Sequence, residues 1–444
     1  MTKVITYGTY DLFHKGHYNL LKHAKELGDY LIVAVTSDAF DKVRGKLNVH
    51  DTLFTRIKNV EKTGLADEII VEEYYGQKID DIKKYGIDIF TVGSDWVGHF
   101  DYLKEYCDVI YLDRTKGISS TELRCKDAVN LGILGTEEII KRFKEELKYV
   151  SGINLVGIFD NDKEKLSQVT EKMGIKKYDT LNDMYRDVDA VYIASPPKEH
   201  YMYINSALKN KKHVLCEFPF CTDLKIAKEL FILAKKNNLI LMEGLKTAYC
   251  PAVLKMVPLV KSGVLGEIIS VDACFTQITG ENLQKQIKLA SGGSMNSLCS
   301  YPLLAIVKLL GVDYRDIRFI SKYDKDIDVY TRFEIIYKNA VGSGIVAINA
   351  KNEGALTVSG TKGYLYIPAP WWKTDYFEVR YEDANYNRKY FYRFEGDGLR
   401  YEIVEFLNCI KTGKKTVCFT DEEILFIVDI LDKFHKNENI IKLG

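Results

Sequence analysis

The chain has 444 residues, of which 62 are Lys or Arg and 62 are Asp or Glu, so it carries no formal net charge at neutral pH. This balance excludes a general attraction to nucleic acid or to an anionic membrane, and any anion site must be local. The sequence has no run of 18 or more apolar residues and begins in a strand-like segment, so we expect a cytoplasmic protein without membrane insertion. The nine cysteines include no CxxC pair, which argues against structural zinc and disulfides.

Short apolar strands alternate with helical patterns from residue 3 to about residue 127. The strands are "VITYGTYD", "YLIVAVTSD", "DEIIVEE", "IDIFTVGSD" and "DVIYLDRT", and the first helix is "HYNLLKHAKEL". This alternation predicts an α/β domain with a doubly wound parallel sheet, which we place at residues 1–127.

Two further regions follow, so the sequence predicts three domains. The strands "INLVGIFDND", "VDAVYIASPP", "KHVLCEFPF" and "LILMEGL" predict a Rossmann dinucleotide-binding domain at residues 128–250. After residue 250, strands such as "EIISVDACFTQ", "YTRFEIIYKN", "GSGIVAINAK" and "TVSGTKGYLYIP" follow one another directly. They predict an α+β domain with a large open antiparallel sheet at residues 251–444, closed by the helices "YEIVEFLNCIKTG" and Asp421 to His435.

The turn after the first strand reads "GTYDLFHKGH" and holds two histidines. His14 and His17 are three residues apart, so one turn at the start of a helix can direct both imidazoles at one phosphate. Gly16 lets a ligand approach the backbone. The alternative is a pair of surface histidines with no ligand.

A second segment favours the phosphate site. "RTKGISSTELR" follows a later strand of the same sheet and supplies an arginine, a glycine and several hydroxyls at the start of a helix. Each of these groups is a suitable phosphate partner. The carboxyl ends of parallel strands meet at one edge, so the two segments belong to one site.

Across residues 1–127 the chain resembles the glycerol-3-phosphate cytidylyltransferases, in "VITYGTYDLFHKGH", "ELGDYLIVAVTSD", "GSDW" and "RTKGISST". The resemblance implies transfer of a cytidylyl group from CTP, with Mg²⁺, to a phosphorylated polyol. The implied catalytic residues are His14, His17, Lys46 and Arg114. The implied CTP-binding residues are Gly8, Thr9, Tyr10, Asp11, His14, Gly16, His17, Arg114, Gly117, Ile118, Ser119 and Thr121. No metal-ligating residue of the protein is predicted.

Three positions depart from the family pattern. Arg44 stands where a lysine is frequent, Ser94 gives "GSDW" in place of "GDDW", and Gly64 stands where an arginine is frequent. Without an arginine at position 64 the chain lacks a fixed cation for the acceptor phosphate. Two alternatives stay open: the neighbouring Lys62 replaces this cation, or no residue does. The identity of the acceptor polyol phosphate therefore stays open.

The segment "NLGILGTEEII" is an imperfect dinucleotide fingerprint. Gly135 occupies the first glycine position, but Glu137 and Ile140 stand at the second and third. Asp160 ends the next strand, where an acidic side chain binds the ribose hydroxyls of NAD and disfavours NADP. The alternative is an ordinary helix turn.

From residue 128 to 444 the chain resembles the glucose-fructose oxidoreductase/inositol dehydrogenase (Gfo/Idh/MocA) family, through "DAVYIASPPKEH", "KHVLCEFPF", "LILMEGLKTAYCPA" and "GGSMNSLCSYPL". The resemblance implies NAD or NADP as cofactor and a homodimer or homotetramer formed through the C-terminal sheet domain. The implied cofactor-binding residues are Gly135, Thr136, Asp160, Ser195, Pro196, His200 and Glu217.

The second family's reaction site is altered in this chain. Its Glu-Lys-Pro motif appears as Glu217-Phe218-Pro219, and Ser297 stands at a frequent aspartate position. Tyr301 is retained as a catalytic proton donor in this reading, with Lys246 and Tyr249 completing a reductase substrate site. Lys246, Tyr249 and His200 are the alternatives for the group that replaces the missing positive charge.

Three hypotheses follow. The first is an enzyme that makes a CDP-activated glycerol or related polyol for a cell-surface polymer such as capsule or teichoic acid, with a fused reductase that prepares the polyol phosphate from a keto or aldehyde precursor. The second keeps the cytidylyltransferase and makes the C-terminal half a non-catalytic binding and oligomerisation module. The third, a sensor without turnover, is disfavoured by the intact phosphate motifs.

Overall fold

The computed structural model describes residues 1–44, 46, 49, 51–113, 128–278 and 292–443. Five residues predicted to bind CTP lie outside the described residues: Arg114, Gly117, Ile118, Ser119 and Thr121. By its internal contacts the chain divides into an N-terminal unit, residues 1–128 with 147–154, and a C-terminal unit, residues 129–146 with 155–444. A further boundary near residue 250 stays a prediction.

The N-terminal unit is built on a parallel sheet. Its strands are β1 (Lys3–Gly8), β2 (Tyr30–Thr36), β3 (Glu68–Glu72), β4 (Ile89–Gly93) and β5 (Asp108–Leu112). They lie in the order β3-β2-β1-β4-β5, and each neighbouring pair is parallel. The described helices between them are Lys15–Glu26, Asp38–Val43, Leu53–Glu61 and Gln77–Tyr85, with short 3-10 turns at Ser94–Trp96 and Asp101–Glu105. The predicted doubly wound α/β fold is confirmed.

Burial on both faces explains why the central strands are continuous apolar runs. Successive side chains of a strand point to opposite faces. Val4 of β1 packs in a cluster with Leu21 of the first helix and with Val60. Ile5, its neighbour, packs in a second cluster with Phe90 of β4. The sheet is thus the middle layer between two sets of helices.

The C-terminal unit begins with a second sheet. Its strands are β6 (Val129–Leu134), β7 (Ile153–Phe159), β8 (Ala190–Ile193), β9 (His213–Glu217) and β10 (Leu241–Gly244), in the order β10-β9-β8-β6-β7. The described pairs among β6, β8, β9 and β10 are parallel. The described helices that follow these strands are Ile139–Leu147, Lys163–Met173, Leu181–Asp187, Pro197–Lys209 and Leu224–Lys236. This is the predicted Rossmann topology.

A large mixed sheet forms the rest of the unit. Its nine strands lie in the order β18-β17-β16-β15-β11-β14-β13-β12-β19. They are β11 (Ile268–Thr276), β12 (Asp316–Asp324), β13 (Ile327–Ile336), β14 (Val341–Ala347), β15 (Leu356–Gly360), β16 (Tyr364–Ile367), β17 (Tyr376–Arg380), β18 (Arg388–Phe391) and β19 (Ile440–Leu443). The pairs β11–β14 and β12–β19 are parallel, and the other described pairs are antiparallel.

Helices complete the C-terminal unit, and in the last of them the sequence determines where the helix begins. They are the 3-10 turn Lys246–Tyr249 and the described helices Pro251–Lys261, Ser294–Leu298, Ser300–Leu310, Leu399–Thr412 and Asp421–His435. Thr420 and Glu423 form a capping box, in which each side chain accepts the other residue's backbone N–H. This fixes the predicted start at Asp421.

Four strands were not predicted: β12, β17, β18 and β19. In β18 three of the four residues are exposed, so the alternation that marks a half-buried strand is absent. No disulfide joins the described cysteines. None of the described helices combines the length and the apolar character needed to cross a membrane.

Candidate active sites

A cavity of about 560 Å³ opens in the N-terminal unit at the carboxyl ends of β1 and β4. From β1 the chain continues to β2 on one side, and from β4 it continues to β5 on the other, so the loops that leave these two strands diverge and leave a crevice. The predicted CTP-site residues that line it are Gly8, Thr9, Tyr10, Asp11, His14, Gly16, His17 and Lys46. The structure therefore brings together the described part of the predicted site.

The loop after β1 has a constrained backbone. Tyr10 and Leu12 adopt positive φ angles of 55° and 48°, which side chains with a Cβ rarely take. A Cβ on Gly8 would lie 2.9 Å from the ring of Tyr10, so glycine is required for this close approach. The sequence "GTYD" thus forms a tight turn that aims the following residues at the cavity.

The two histidines lie against each other at the start of the helix Lys15–Glu26. Their ring centroids are 4.0 Å apart, with 22° between the ring planes. His14 caps the helix, since its Nδ1 accepts the N–H of Gly16 at 2.9 Å. The proton of a neutral His14 ring then lies on Nε2, which becomes a donor. Both rings line the cavity, so they can donate to one anion.

A buried arginine holds the loops of this site together. Arg56 is fully buried, and its Nη1 donates to the carbonyl oxygens of Thr9 and Thr36, each at 2.7 Å. Its Nη2 contacts Asp38, and its Nε donates to the carbonyl oxygen of Asp51 at 3.0 Å. The guanidinium fork therefore joins the turn after β1 to the end of β2.

Arg56 was not predicted from the sequence. A signal for it exists, because Arg56 and Val60 are four residues apart and form the buried face of the helix Leu53–Glu61. A lone charged residue at an apolar helical position requires a partner. The partners themselves come from three other segments, which the local pattern does not reveal.

A second group of charges lines the same cavity. Thr9 donates to buried Asp41 at 3.0 Å, and Arg44 Nη2 donates to the same Asp41 oxygen at 2.8 Å. Lys78 pairs with buried Glu72 and lies 4.4 Å from the centre of the Tyr7 ring. Burial lowers the pKa of Lys78, and the charge of Glu72 opposes this shift. Arg44 and Lys78 thus add to Lys46 as cavity cations.

Position 64 lies just after the helix Leu53–Glu61. Gly64 has a positive φ of 64°, and a Cβ there would meet nothing within 4 Å. Neither Gly64 nor Lys62 is among the described residues that line the cavity, whereas Arg44 and Lys78 are. The expectation that the glycine removes a cation for the acceptor phosphate stays a prediction.

In the C-terminal unit, Gly135 makes the turn after β6 possible. Its φ is 108°, and a Cβ there would lie 2.3 Å from the carbonyl oxygen of Ala194. Thr136 then donates to Asp160 at 2.7 Å, and the other Asp160 oxygen accepts the N–H of Asp162 at 2.8 Å. Each carboxylate oxygen can still accept another bond. This cradle fits the ribose end of a dinucleotide cofactor.

Acidic side chains surround this cradle. Burial, together with the charge of Asp160, raises the pKa of Glu137, which replaces the second fingerprint glycine. Burial and the same carboxylate raise the pKa of Glu199. The charges of Lys165 and, at Glu199, of Lys198 oppose these shifts.

The His200 ring contacts the backbone of two loops. It is buried, with Nδ1 2.9 Å from the carbonyl oxygen of Pro219 and Nε2 2.8 Å from that of Ser195. Burial lowers its pKa. Both ring nitrogens thus face backbone carbonyls of the protein, and its predicted cofactor contact stays a prediction, as does that of Pro196.

The retained residues of the predicted reductase site meet around an aromatic cluster. Tyr301 lies in the first turn of the helix Ser300–Leu310, and its ring contacts Phe218 edge-on at 5.0 Å. Burial raises the pKa of Tyr301 well above its usual range, so the phenol keeps its proton. Burial likewise raises the pKa of Glu217 to about 7, and Tyr192 donates to that carboxyl.

Lys246 and Tyr249 follow β10 on the 3-10 turn. Lys246 donates to Asp397 at 2.8 Å, and burial lowers its pKa. Tyr249 is buried and donates to the backbone carbonyl of Glu243 at 3.3 Å, which fits a structural role. Ser297 donates to the carbonyl oxygen of Gly293 at 2.7 Å.

Comparison with known proteins identifies both halves. A family model described as Cytidylyltransferase-like matches residues 5–126. The glycerol-3-phosphate cytidylyltransferase of Bacillus spizizenii is 52% identical over 131 residues, 30% of this chain and 100% of that protein. The N-terminal unit belongs to the glycerol-3-phosphate cytidylyltransferase family. The enzyme of that name from Staphylococcus aureus is 48% identical over 124 residues, 28% of this chain and 93% of that protein.

A second family model, Oxidoreductase family, NAD-binding Rossmann fold (GFO_IDH_MocA), matches residues 129–245. A dTDP-3,4-didehydro-2,6-dideoxy-alpha-D-glucose 3-reductase of Actinomadura kijaniata is 29% identical over 208 residues, 45% of this chain and 62% of that protein. A solved 3-ketoreductase from Actinomadura kijaniata, in complex with NADP and TDP-benzene, shares the fold with a TM-score of 0.64 and 22% identity, over 71% of this chain and 100% of that chain. The chain is a nucleotidyltransferase fused to an oxidoreductase-family domain.

Arg56→Met tests the loop clamp of the cytidylyltransferase unit. It removes one ion-pair partner from Asp38 and one from Asp41 and leaves three backbone carbonyls without this donor, so we expect a loss of about 3–5 kcal/mol in unfolding free energy. Urea unfolding, with hydrogen exchange to assign the loss to this unit, measures it. Lys58→Met, at an exposed position of the same helix, is the control, and an equal loss in both variants would contradict the clamp.

Gly135→Ala tests the cofactor turn of the oxidoreductase unit. The new Cβ would combine an unfavourable φ with a backbone clash, and we expect about 2–4 kcal/mol of destabilisation. Gly174→Ala is matched in positive φ, at 61°, but its Cβ meets nothing within 4 Å, so it should cost only about 1 kcal/mol. Thermal unfolding compares them, and similar midpoints would show that the close approach to Ala194 is not rigid.

Proposed function

We propose that the N-terminal unit transfers the cytidylyl group of CTP to a phosphorylated polyol and releases pyrophosphate. The observation that carries the proposal is the stacked His14 and His17 pair, held by its helix cap in a cavity that also presents Arg44, Lys46 and Lys78. Five nitrogen-bearing side chains in one crevice suit a triphosphate and an acceptor phosphate together. The named relatives support the acceptor class, glycerol 3-phosphate or a related polyol phosphate.

The chemistry needs positioning and charge stabilisation more than a base. A phosphate monoester is largely ionised near pH 7, so the attacking oxygen has no proton to lose. That oxygen bonds to the α-phosphorus of CTP, while the bond to the bridging oxygen breaks and pyrophosphate leaves with the electron pair. His14 and His17 donate to oxygens around the α-phosphorus, where charge develops. Mg²⁺ enters as the complex with CTP.

The oxidoreductase unit is proposed to prepare the acceptor. NAD(P)H, when bound near Gly135 and Asp160, supplies a hydride. Tyr301, which keeps its phenol proton, donates to the carbonyl oxygen of a keto or aldehyde precursor. The acidic surroundings of Asp160 favour NAD over NADP. The resulting polyol phosphate is the acceptor for the first unit, which places both steps in the synthesis of a cell-surface polymer such as capsule or teichoic acid.

A second candidate function for this half is a non-catalytic module. The observation that favours it is Phe218, an apolar ring at the position of the family's lysine, packed against Tyr301. In that case the nine-stranded sheet would serve to join copies of the chain into a dimer or tetramer through its exposed face. Oxidation of NADH that depends on a carbonyl compound distinguishes the two candidates, because only the reductase would catalyse it.

His17→Ala tests the first site. Loss of one donor to the reacting phosphate should reduce pyrophosphate release from MgCTP and glycerol 3-phosphate by about 100-fold or more, with NADH binding unchanged. His23→Ala, at an exposed position of the same helix, is the control. Full activity of His17→Ala would overturn the assignment of the site.

A substrate panel tests the fusion. Pyrophosphate release is measured with CTP, Mg²⁺ and either phosphopolyols or keto phosphates, each with and without NADH. We expect release with phosphopolyols alone and with keto phosphates only when NADH is present. Release that is indifferent to NADH and confined to preformed phosphopolyols would favour the module.

A further inference from the structure

Three cations of the oxidoreductase unit converge on one carboxylate. Arg142 Nη1 and Lys246 Nζ lie 3.1 Å and 2.8 Å from one oxygen of Asp397. Lys373 Nζ lies 2.5 Å from the other oxygen. Burial by itself would raise the pKa of Asp397, but the hydrogen bonds from Lys246 and Lys373 bring it below its ordinary value. We call these four residues the Asp397 cluster; its formal charge is positive.

Nearby carboxyl groups do not cancel this charge. Glu146 is taken by Arg400, whose Nε and Nη2 each donate to it at 2.8 Å. Burial raises the pKa of Glu217 to about 7, and burial with the charge of Glu217 raises that of Glu402 well above its usual range. These two groups are therefore partly or wholly neutral near pH 7. The Asp397 cluster keeps an excess of positive charge that an anion would compensate.

Backbone hydrogen bonds to Glu146 hold the loop that carries Asp397 in place. The buried Glu146 also accepts the backbone N–H of Asp397 at 3.1 Å and of Arg400 at 3.2 Å. A Cβ on Gly396 would lie 2.1 Å from a Glu146 oxygen, so the loop passes directly over this ion pair. Because Asp397 is fixed by backbone bonds, it holds Lys246 and Lys373 in place.

An aromatic wall connects the cluster to the predicted proton donor. Trp372, next to Lys373, stacks on Phe275 at 3.8 Å with 13° between the rings. Phe275 contacts Tyr301 at 4.9 Å, and Tyr301 contacts Phe218. Trp372 itself lies 6.3 Å from Tyr301, ring centre to ring centre, so the segment that carries Lys373 borders the proton donor. Phe218, Phe275 and Trp372 are each partly exposed.

We propose that the Asp397 cluster binds the phosphoryl group of the carbonyl compound that the oxidoreductase unit reduces. The inference rests on the proposed reductase function and names its substrate class: a ketone or aldehyde that carries a phosphate ester. The phosphoryl group lies on Lys246, Lys373 and Arg142, the carbon chain lies along the aromatic wall, and the carbonyl oxygen reaches Tyr301. Phe218 stands where the family motif has a lysine, so that positive charge is missing here. Lys246, Lys373 and Arg142 supply positive charge from other segments, and it binds the phosphoryl group of the substrate instead of its carbonyl oxygen.

The step balances without another reactant. A hydride from NAD(P)H bonds to the carbonyl carbon, the carbon–oxygen π bond breaks, and the oxygen takes the phenol proton of Tyr301, which solvent restores. The carbonyl is reduced to an alcohol and the nicotinamide is oxidised. The phosphate ester is unchanged by the reduction. If reduction comes first, this phosphate is then the acceptor for the cytidylyltransferase unit. If reduction comes second, the phosphate already carries the cytidylyl group.

The test compares phosphorylated and unphosphorylated substrates in the full chain. NADH oxidation is followed with dihydroxyacetone phosphate and fructose 6-phosphate, and with dihydroxyacetone and fructose. Lys373→Gln should raise KM for the phosphorylated ketones by about 10- to 100-fold and leave kcat/KM for the unphosphorylated ones unchanged. Lys373→Arg should restore most of the lost affinity. Lys411→Gln, at an exposed position, is the control for surface charge.

Two outcomes overturn the proposal. One is equal use of phosphorylated and unphosphorylated ketones by the unaltered chain, and the other is an equal effect of Lys373→Gln on both. Arg142→Gln, at a half-exposed position, repeats the test if Lys373→Gln lowers the unfolding midpoint. Addition of CTP and Mg²⁺ separates the two sources of phosphate: oxidation that requires them identifies the CDP ester as substrate, and oxidation without them identifies the free keto phosphate.

Failure of the reductase function is distinguishable from failure of this site. If no ketone oxidises NADH, calorimetric titration of dihydroxyacetone phosphate into the Lys373→Gln and Lys411→Gln variants tests whether the Asp397 cluster binds a phosphate ester, independently of any reduction. The cytidylyltransferase site is the same in both variants, so a difference between them isolates the Asp397 cluster. Weaker binding to Lys373→Gln alone supports the anion site, and equal binding overturns it.

Discussion

Parallel strand pairing is the constraint on which the two five-stranded sheets depend. It brings the carboxyl ends of the strands of such a sheet to one edge, so residues far apart in sequence share one rim. In the N-terminal unit this rim holds the turn after β1, Arg44 after β2 and Glu72 at the end of β3. In the C-terminal unit it holds the turn at Gly135, Asp160 after β7 and Glu217 at the end of β9. The chemistry of both halves follows from where the strands end.

Loops at such a rim need internal supports, and both units use buried charge for this purpose. Arg56 joins two loops through backbone carbonyls, and the Glu146–Arg400 pair fixes the loop that carries Asp397. A buried ion pair contributes little net stability compared with well-packed apolar side chains, but removing one partner is costly. These pairs therefore specify loop positions more than they stabilise the fold.

Local charge explains how a chain without net charge can serve anionic substrates. In the cytidylyltransferase unit Arg44, Lys46 and Lys78 line one cavity with two histidines, and the buried carboxylates Asp41 and Glu72 pair with Arg44 and Lys78. The Asp397 cluster in the oxidoreductase unit follows the same rule, with a central carboxylate that orders a larger number of cations. In each case a carboxylate fixes the positions of the neighbouring cationic side chains.

The sequence by itself determined the element types of both parallel sheets, the start of the last helix at Asp421 and the grouping of Gly8 to His17 at one strand end, because apolar periodicity, capping residues and turn glycines act over a few residues. Only the tertiary structure decided that Arg56 clamps that turn, that Arg44 and Lys78 line the described cavity, and that Lys246 meets Asp397, 151 residues later. Such contacts join segments whose local patterns are independent of each other. Their partners are set by how the sheets twist and where the loops cross, which no short-range pattern encodes.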